Sequence, residues 1–143
     1  MRCPVCKDPM IIVEYQRIEL DYCTKCLGVW FDAGELELLA EHLSLDEEAL
    51  SLHDIWALPD AKVAEKPRKC QMCGKKMRKV YVGEDPKVLL DICPSRHGIW
   101  FDDGELETAV RAAGTEPGDE LAHFLAELAE RRRKGQRSER PTP

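Results

Sequence analysis

The sequence predicts a small, metal-stabilised α+β protein: two tandem zinc-ribbon modules, each a β-hairpin plus a helix, joined by a helical linker and followed by a C-terminal amphipathic helix. Three observations predict it. The 143 residues contain an internal repeat, the seven cysteines fall as three C-x-x-C pairs and one single, and the apolar pattern in each repeat turns helical just after a tryptophan. The expected organisation is a first module at 1-43, a helix and linker at 44-67, a second module at 68-114, and an amphipathic helix with a basic tail at 115-143.

CPVC at 3-6 and DYCTKCLGVWFDAGELE at 21-37 recur as CQMC at 70-73 and DICPSRHGIWFDDGELE at 91-107. The register is kept throughout, with Cys23 to Trp30 and Cys93 to Trp100 equally spaced. Such self-similarity defines the structural unit before any residue-level argument.

Between the cysteine pairs of the first copy, Ile11-Tyr15 and Arg17-Tyr22 read as a ribbon of two strands; Met77-Val82 and Lys87-Ile92 form its counterpart, with a turn at 83-86. Asp32 and Asp102 read as N-caps, with Glu35 and Glu105 three positions on completing capping boxes for helices near 33-43 and 103-113, the second stopped by Gly114. A helix near 45-56 takes Ser44 as cap and Glu47 at its third position. Pro59 to Pro67 is a polar linker. From Asp119 to Lys134, Leu121, Phe124, Leu125 and Leu128 share one face of an amphipathic helix with a basic end, and Gly135 onward reads as frayed.

A module of this size buries too little apolar surface to be held by its core alone, so the cysteines are the natural staple. An odd number in close pairs does not make a disulfide framework. Two C-x-x-C pairs separated by a hairpin turn four sulfurs toward one point, the tetrahedral arrangement of structural zinc. The first site is therefore Cys3, Cys6, Cys23 and Cys26. In the second copy Cys70, Cys73 and Cys93 recur, but Arg96 stands where the fourth cysteine belongs. A guanidinium cannot ligate a metal; His97, one residue later, reaches farther than a thiolate and fills the corner. Two Zn2+ per chain are expected. His42, His53 and His123 lie on helical segments without ligand partners and read as ordinary histidines.

Four protein ligands leave no position open for water, which separates structural from catalytic zinc. The expected function is accordingly non-enzymatic, with Asp32, Glu35, Asp102 and Glu105 explained as caps. No βαβ pattern supports a thioredoxin reading and no phosphate-cradling loop is present. Trp30-Phe31 and Trp100-Phe101 are expected to cover the metal sites; exposed, they would instead form two aromatic patches. The net charge of −6 lies mostly on the N-terminal half, whereas a protein gripping DNA presents a basic surface. No membrane span or leader is read, and the expected location is cytoplasmic. The favoured function is an adaptor that presents its ribbons and helices to another protein, with self-association through the C-terminal helix as a further route. The alternative is a nucleic-acid-binding regulator using Lys75, Lys76, Arg78 and Lys79 together with Arg131, Arg132, Arg133, Lys134, Arg137 and Arg140.

The repeated block, C-P-x-C followed by C-x-x-C-x-G-x-W-x-D-x-G-E-L-E, closely resembles the bacterial transcription-factor zinc-finger family, named for its likeness to the zinc ribbon of transcription factor IIB. The likeness covers about 1-40 and 68-110. It rests on Cys3, Cys6, Cys23, Cys26, Trp30, Asp32, Gly34, Glu35 and Leu36, and on Cys70, Cys73, Cys93, Gly98, Trp100, Asp102, Gly104, Glu105 and Leu106. The second copy is similar to a histidine variant, with Gln71 in place of the proline after its first cysteine. The resemblance implies zinc binding, and implies transcription only through the family's name.

Overall fold

The computed structural model describes residues 1-44, 55-83, 87-112 and 116-138. The strand readings hold closely: β1 is Ile11–Tyr15, β2 is Ile18–Tyr22, β4 is Arg78–Val82 and β5 is Val88–Ile92. Two further strands, β3 at Val29–Asp32 and β6 at Gly98–Phe101, form where the sequence predicts only aromatic cover for the metal sites. The helix expected near 45-56 lies outside the described residues except for a 3-10 turn at Ile55–Ala57. The turn at 84-86 and the stop at Gly114 also lie outside them.

All six strands join in one antiparallel sheet of order β1-β2-β3-β6-β5-β4. The joint is β3 against β6, with Trp30 opposite Trp100, Val29 opposite Phe101 and Phe31 opposite Ile99. Trp30 and its repeat equivalent Trp100 thus face each other, and the pairs on either side of them are related by a local two-fold axis. This is the self-complementary contact of a symmetric dimer, made inside one chain.

Strand alternation divides the apolar residues between two layers. Val29, Phe31, Ile99 and Phe101 join Leu20, Leu36, Leu39, Val80, Leu90 and Leu106 in a core under the helices, where Phe31 and Phe101 meet edge to face at 5.7 Å. Trp30 and Trp100 point to the other layer, with Met77, Cys3, Cys23, Cys70 and Cys93.

Helices α1 (Glu35–His42) and α2 (Glu105–Ala112) follow β3 and β6. The capping expectation needs correction. Gly34, at φ 94°, is the cap residue of α1, and no side chain bonds there; Gly104 has a matching φ of 84°. A left-handed turn is needed to redirect the chain from strand to helix, and glycine takes it at least cost. Asp32 is the last residue of β3 and its carboxylate accepts from the Trp30 indole instead. In the second module one half of the capping box survives, since Glu105 Oε1 accepts the Asp102 amide at 2.7 Å.

Helix α3 spans Glu116–Ser138, so it starts earlier than expected and continues through Gly135. Leu121, Ala122, Leu125 and Ala129 are buried, while Phe124 packs on Tyr15 with ring centroids 5.1 Å apart. The amphipathic face is thus spent on the chain's own core. Among the described residues no helix is long and apolar enough to cross a membrane.

Candidate metal centres

Each centre is built from two tight turns at the ends of a hairpin. In the first module Lys7 N–H bonds the Cys3 carbonyl at 2.9 Å, and Leu27 N–H bonds the Cys23 carbonyl at 2.9 Å. Lys7 and Leu27 adopt positive φ of 67° and 66°, which turns the chain back just after the second cysteine of each pair. Backbone amides of Val5 and Cys6 point at the Cys3 sulfur at 3.3 Å, and that of Cys26 at the Cys23 sulfur at 3.5 Å. Such donors favour the thiolate form that metal binding requires.

The structure brings Cys3, Cys6, Cys23 and Cys26 together, and separately Cys70, Cys73, Cys93 and His97, with the ligand atoms of each set within 4.8 Å of one another. The Cys3 and Cys26 sulfurs are 3.6 Å apart, as are those of Cys73 and Cys93. A disulfide would require about 2.05 Å, whereas a tetrahedron of sulfurs on zinc at about 2.3 Å has edges of about 3.8 Å. The cysteines are free thiols, and the soft donor set at this spacing fits zinc.

The histidine corner has a local cause. In the other three turns the residue after the second ligand carries the positive φ, but in the fourth it is Arg96, at 63°. Arg96 N–H closes on the Cys93 carbonyl at 2.9 Å, a turn one residue tighter than the Leu27 to Cys23 bond. The reversal therefore comes a residue early, and position 97 is aimed inward; His97 Nδ1 lies 3.3 Å from the Cys93 sulfur. Arg96 itself is exposed.

As thiols the ligands are unequal. The Cys26 thiol donates to Cys3, which holds Cys3 down at about 5 and Cys26 above its ordinary value. The Lys75 amide holds Cys73 down at about 7, while burial pushes Cys70 up to about 11.

Both centres abut one shared aromatic layer. Trp30 and Trp100 are fully buried, and each donates its indole N–H to the aspartate two residues further on, Trp30 to Asp32 at 2.8 Å and Trp100 to Asp102 at 3.0 Å. Its ring lies over a glycine of the opposite module: a Cβ on Gly98 would overlap the Trp30 ring and the Phe31 carbonyl, and one on Gly28 would overlap the Trp100 ring. Those glycines are therefore required by ring packing. The aromatic-patch alternative is not what the structure contains.

Behind the second centre lies an ion-pair network that sequence reasoning missed. Lys79 Nζ is 2.6 Å from buried Asp91 and 2.8 Å from Glu65; Arg68 reaches Asp102 at 2.5 Å and Asp91 at 3.2 Å. Burial pushes Asp91 up, and the two cations pull it back. Glu65, Asp91 and Asp102 are close enough to suggest a third metal group, but Arg68 and Lys79 already hold them. The available signal was the repeated aspartate two residues before Cys23 and Cys93, an acid placed within a strand. Of the remaining histidines, His42 and His123 are exposed, His123 paired with Glu127 at 3.1 Å, and His53 lies outside the described residues.

Searches of curated proteins and of solved structures returned no match. The family model described as "Transcription factor zinc-finger" matches twice, at residues 2-42 and 69-112, so that each match contains one complete four-ligand set. With more than half of the chain inside those two matches, the protein belongs to the transcription factor zinc-finger family, as a tandem of two zinc-ribbon copies.

Proposed function

We propose that this chain is a non-enzymatic, zinc-stabilised adaptor that presents a rigid double ribbon to another protein. The observation that carries the reading is the fate of the basic cluster on the second ribbon. Of its four cations, Lys79 is buried against Asp91 and Glu65, and Arg78 is bound to Asp60 and to the carbonyls of Trp56 and Leu58. Cations consumed by their own chain do not neutralise phosphates. The four-donor sets also favour structural metal over a site that activates water. Glu35 and Glu105, both pushed up to about 7 chiefly by burial, are explained by neighbouring acids and a helix start without a substrate.

A second reading has one observation in its favour. Lys69, Lys76 and Arg96 are exposed at the second pair of turns, with Lys75 held by the Ser95 hydroxyl at 2.8 Å. The equivalent bond in the first module is the Lys25–Asp8 ion pair at 2.9 Å, which is neutral. The second tip therefore keeps a net positive charge that suits nucleic acid. Capture of partners by the metal-loaded chain, with and without nuclease, separates the two readings. The adaptor reading expects a protein partner retained after nuclease; capture lost to nuclease, together with oligonucleotide binding that falls steeply between 50 and 200 mM salt, about 10³-fold or more for six phosphate contacts, would replace it.

A further inference from the structure

The repeat lets one half of the molecule be compared with the other, and the two outer edges of the sheet differ. On β4 the edge is covered by the chain itself. Ala61 N–H donates to the Lys79 carbonyl at 2.7 Å, Arg78 holds Asp60 at 2.6 Å, and Lys79 holds Glu65 at 2.8 Å. Asp60, Ala61 and Glu65 of the linker thus lie against β4.

β1 is the counterpart of β4. Ile12 stands opposite Asp21 as Lys79 stands opposite Asp91, so its amide and carbonyl face outward as those of Lys79 do. Among the described residues nothing bonds to them. Ile12 is 65% exposed and Ile11 37%, against 8% for Lys79. An uncovered apolar edge strand is a template for strand pairing.

The two faces beside this edge differ in chemistry. On one face Ile12 and Asp21 form one cross-strand pair, and Glu14 and Glu19 form the next. Asp32 lies one strand further, and Glu35 opens the following helix. Arg68 and Lys79, which neutralise the equivalent acids in the second module, correspond to Met1 and Ile12. The amino terminus acts on Asp21 without overcoming its burial and its acidic neighbours. On the other face stand Ile11, Val13 and Tyr15, the last two packed against the main core.

We propose that the outer edge of β1 is a β-augmentation site for an extended segment of a partner protein that alternates basic and apolar side chains, lysine or arginine lying beside Ile12, Glu14 and Asp21, and apolar residues extending the Ile11, Val13 and Tyr15 face. This rests on the adaptor reading. Pairing with β1 of a second copy is disfavoured, since it brings two sets of Glu14 and Glu19 together, and like charges across strands repel. Phosphates meet the same repulsion.

The test titrates the isotope-labelled, metal-loaded full chain with the octapeptides (Lys-Val)4 and (Glu-Val)4, following backbone amides by NMR. The expected result is that (Lys-Val)4 shifts the amides of Ile11 to Tyr15 and slows their exchange, whereas (Glu-Val)4 does neither. Ile12→Lys, which copies Lys79, and Glu14→Lys should each weaken that binding about fivefold and leave amides beyond the edge unmoved. Equal binding of both peptides, or shifts away from β1, would overturn the proposal. So would protection of β1 in a peptide-free dimer, or the same shifts produced by a duplex oligonucleotide. A protein captured equally by native and Ile12→Lys chains would overturn the edge assignment while leaving the adaptor reading standing.

Discussion

Gly28 and Gly98 carry their information in what they lack. Each accepts the indole of the opposite module, so Gly98→Ala should destabilise the protein by about 2 kcal/mol or more, because a β-carbon must displace both a packed ring and the Phe31 carbonyl. Thermal or denaturant unfolding with metal content held constant measures it. The acids beside the rings respond to pH. Glu35 has a folded-state value of about 7 against an ordinary 4.5, so its favourable contribution to folding is fully present below 4.5 and is lost as pH rises through 7. Glu35→Gln stays neutral and should therefore gain stability over the native chain at pH 8, by up to about 1 kcal/mol after solvent screening, with a smaller difference at pH 6. Six of the eight grouped residues were legible because C-x-x-C spacing turns two sulfurs together, whereas Cys93 and His97 could be read only from the register of the repeat. The aspartate role was not: Asp32 satisfies a capping pattern on paper, and only the strand conformation of Val29–Asp32 places its carboxylate against the indole of Trp30 instead.

At the scale of elements, the four hairpin strands could be read from alternation and turns, and β3 and β6 could not. Val29–Asp32 and Gly98–Phe101 are short, and their buried residues are apolar on both faces, one under the helices and one over the metal centres. Continuous apolar runs of this length lack the period that marks a strand. The ion-pair network fastens the linker and β4 to this central sheet. Lys79→Met should remove the cation closest to Asp91 and cost about 2-3 kcal/mol, moderated by Arg68, which remains 3.2 Å from the carboxylate. Lys79→Met paired with Asp91→Leu should recover most of that loss, because no charge is then left buried without its partner.

For the whole molecule, the decisive feature is that two small units share one sheet and one tryptophan layer, so neither depends on its own core. That joint was not legible: the repeat specified the modules but not that β3 would pair with β6, which depends on each strand meeting its own counterpart across a two-fold axis. The cysteines of both centres pack in one buried layer with Trp30 and Trp100, and metal binding is coupled to folding. Stepwise chelation should therefore weaken both centres together, with the near-ultraviolet signal of Trp30 and Trp100 lost in a single transition. The most direct measurement is the number of metal ions per chain in the native protein and in His97→Ala, by native mass spectrometry with elemental identification. The account predicts two zinc ions in the native chain and a second centre emptied or markedly weakened in the variant. A native chain holding one ion or none, or a His97→Ala chain that keeps two with unchanged affinity, would contradict it.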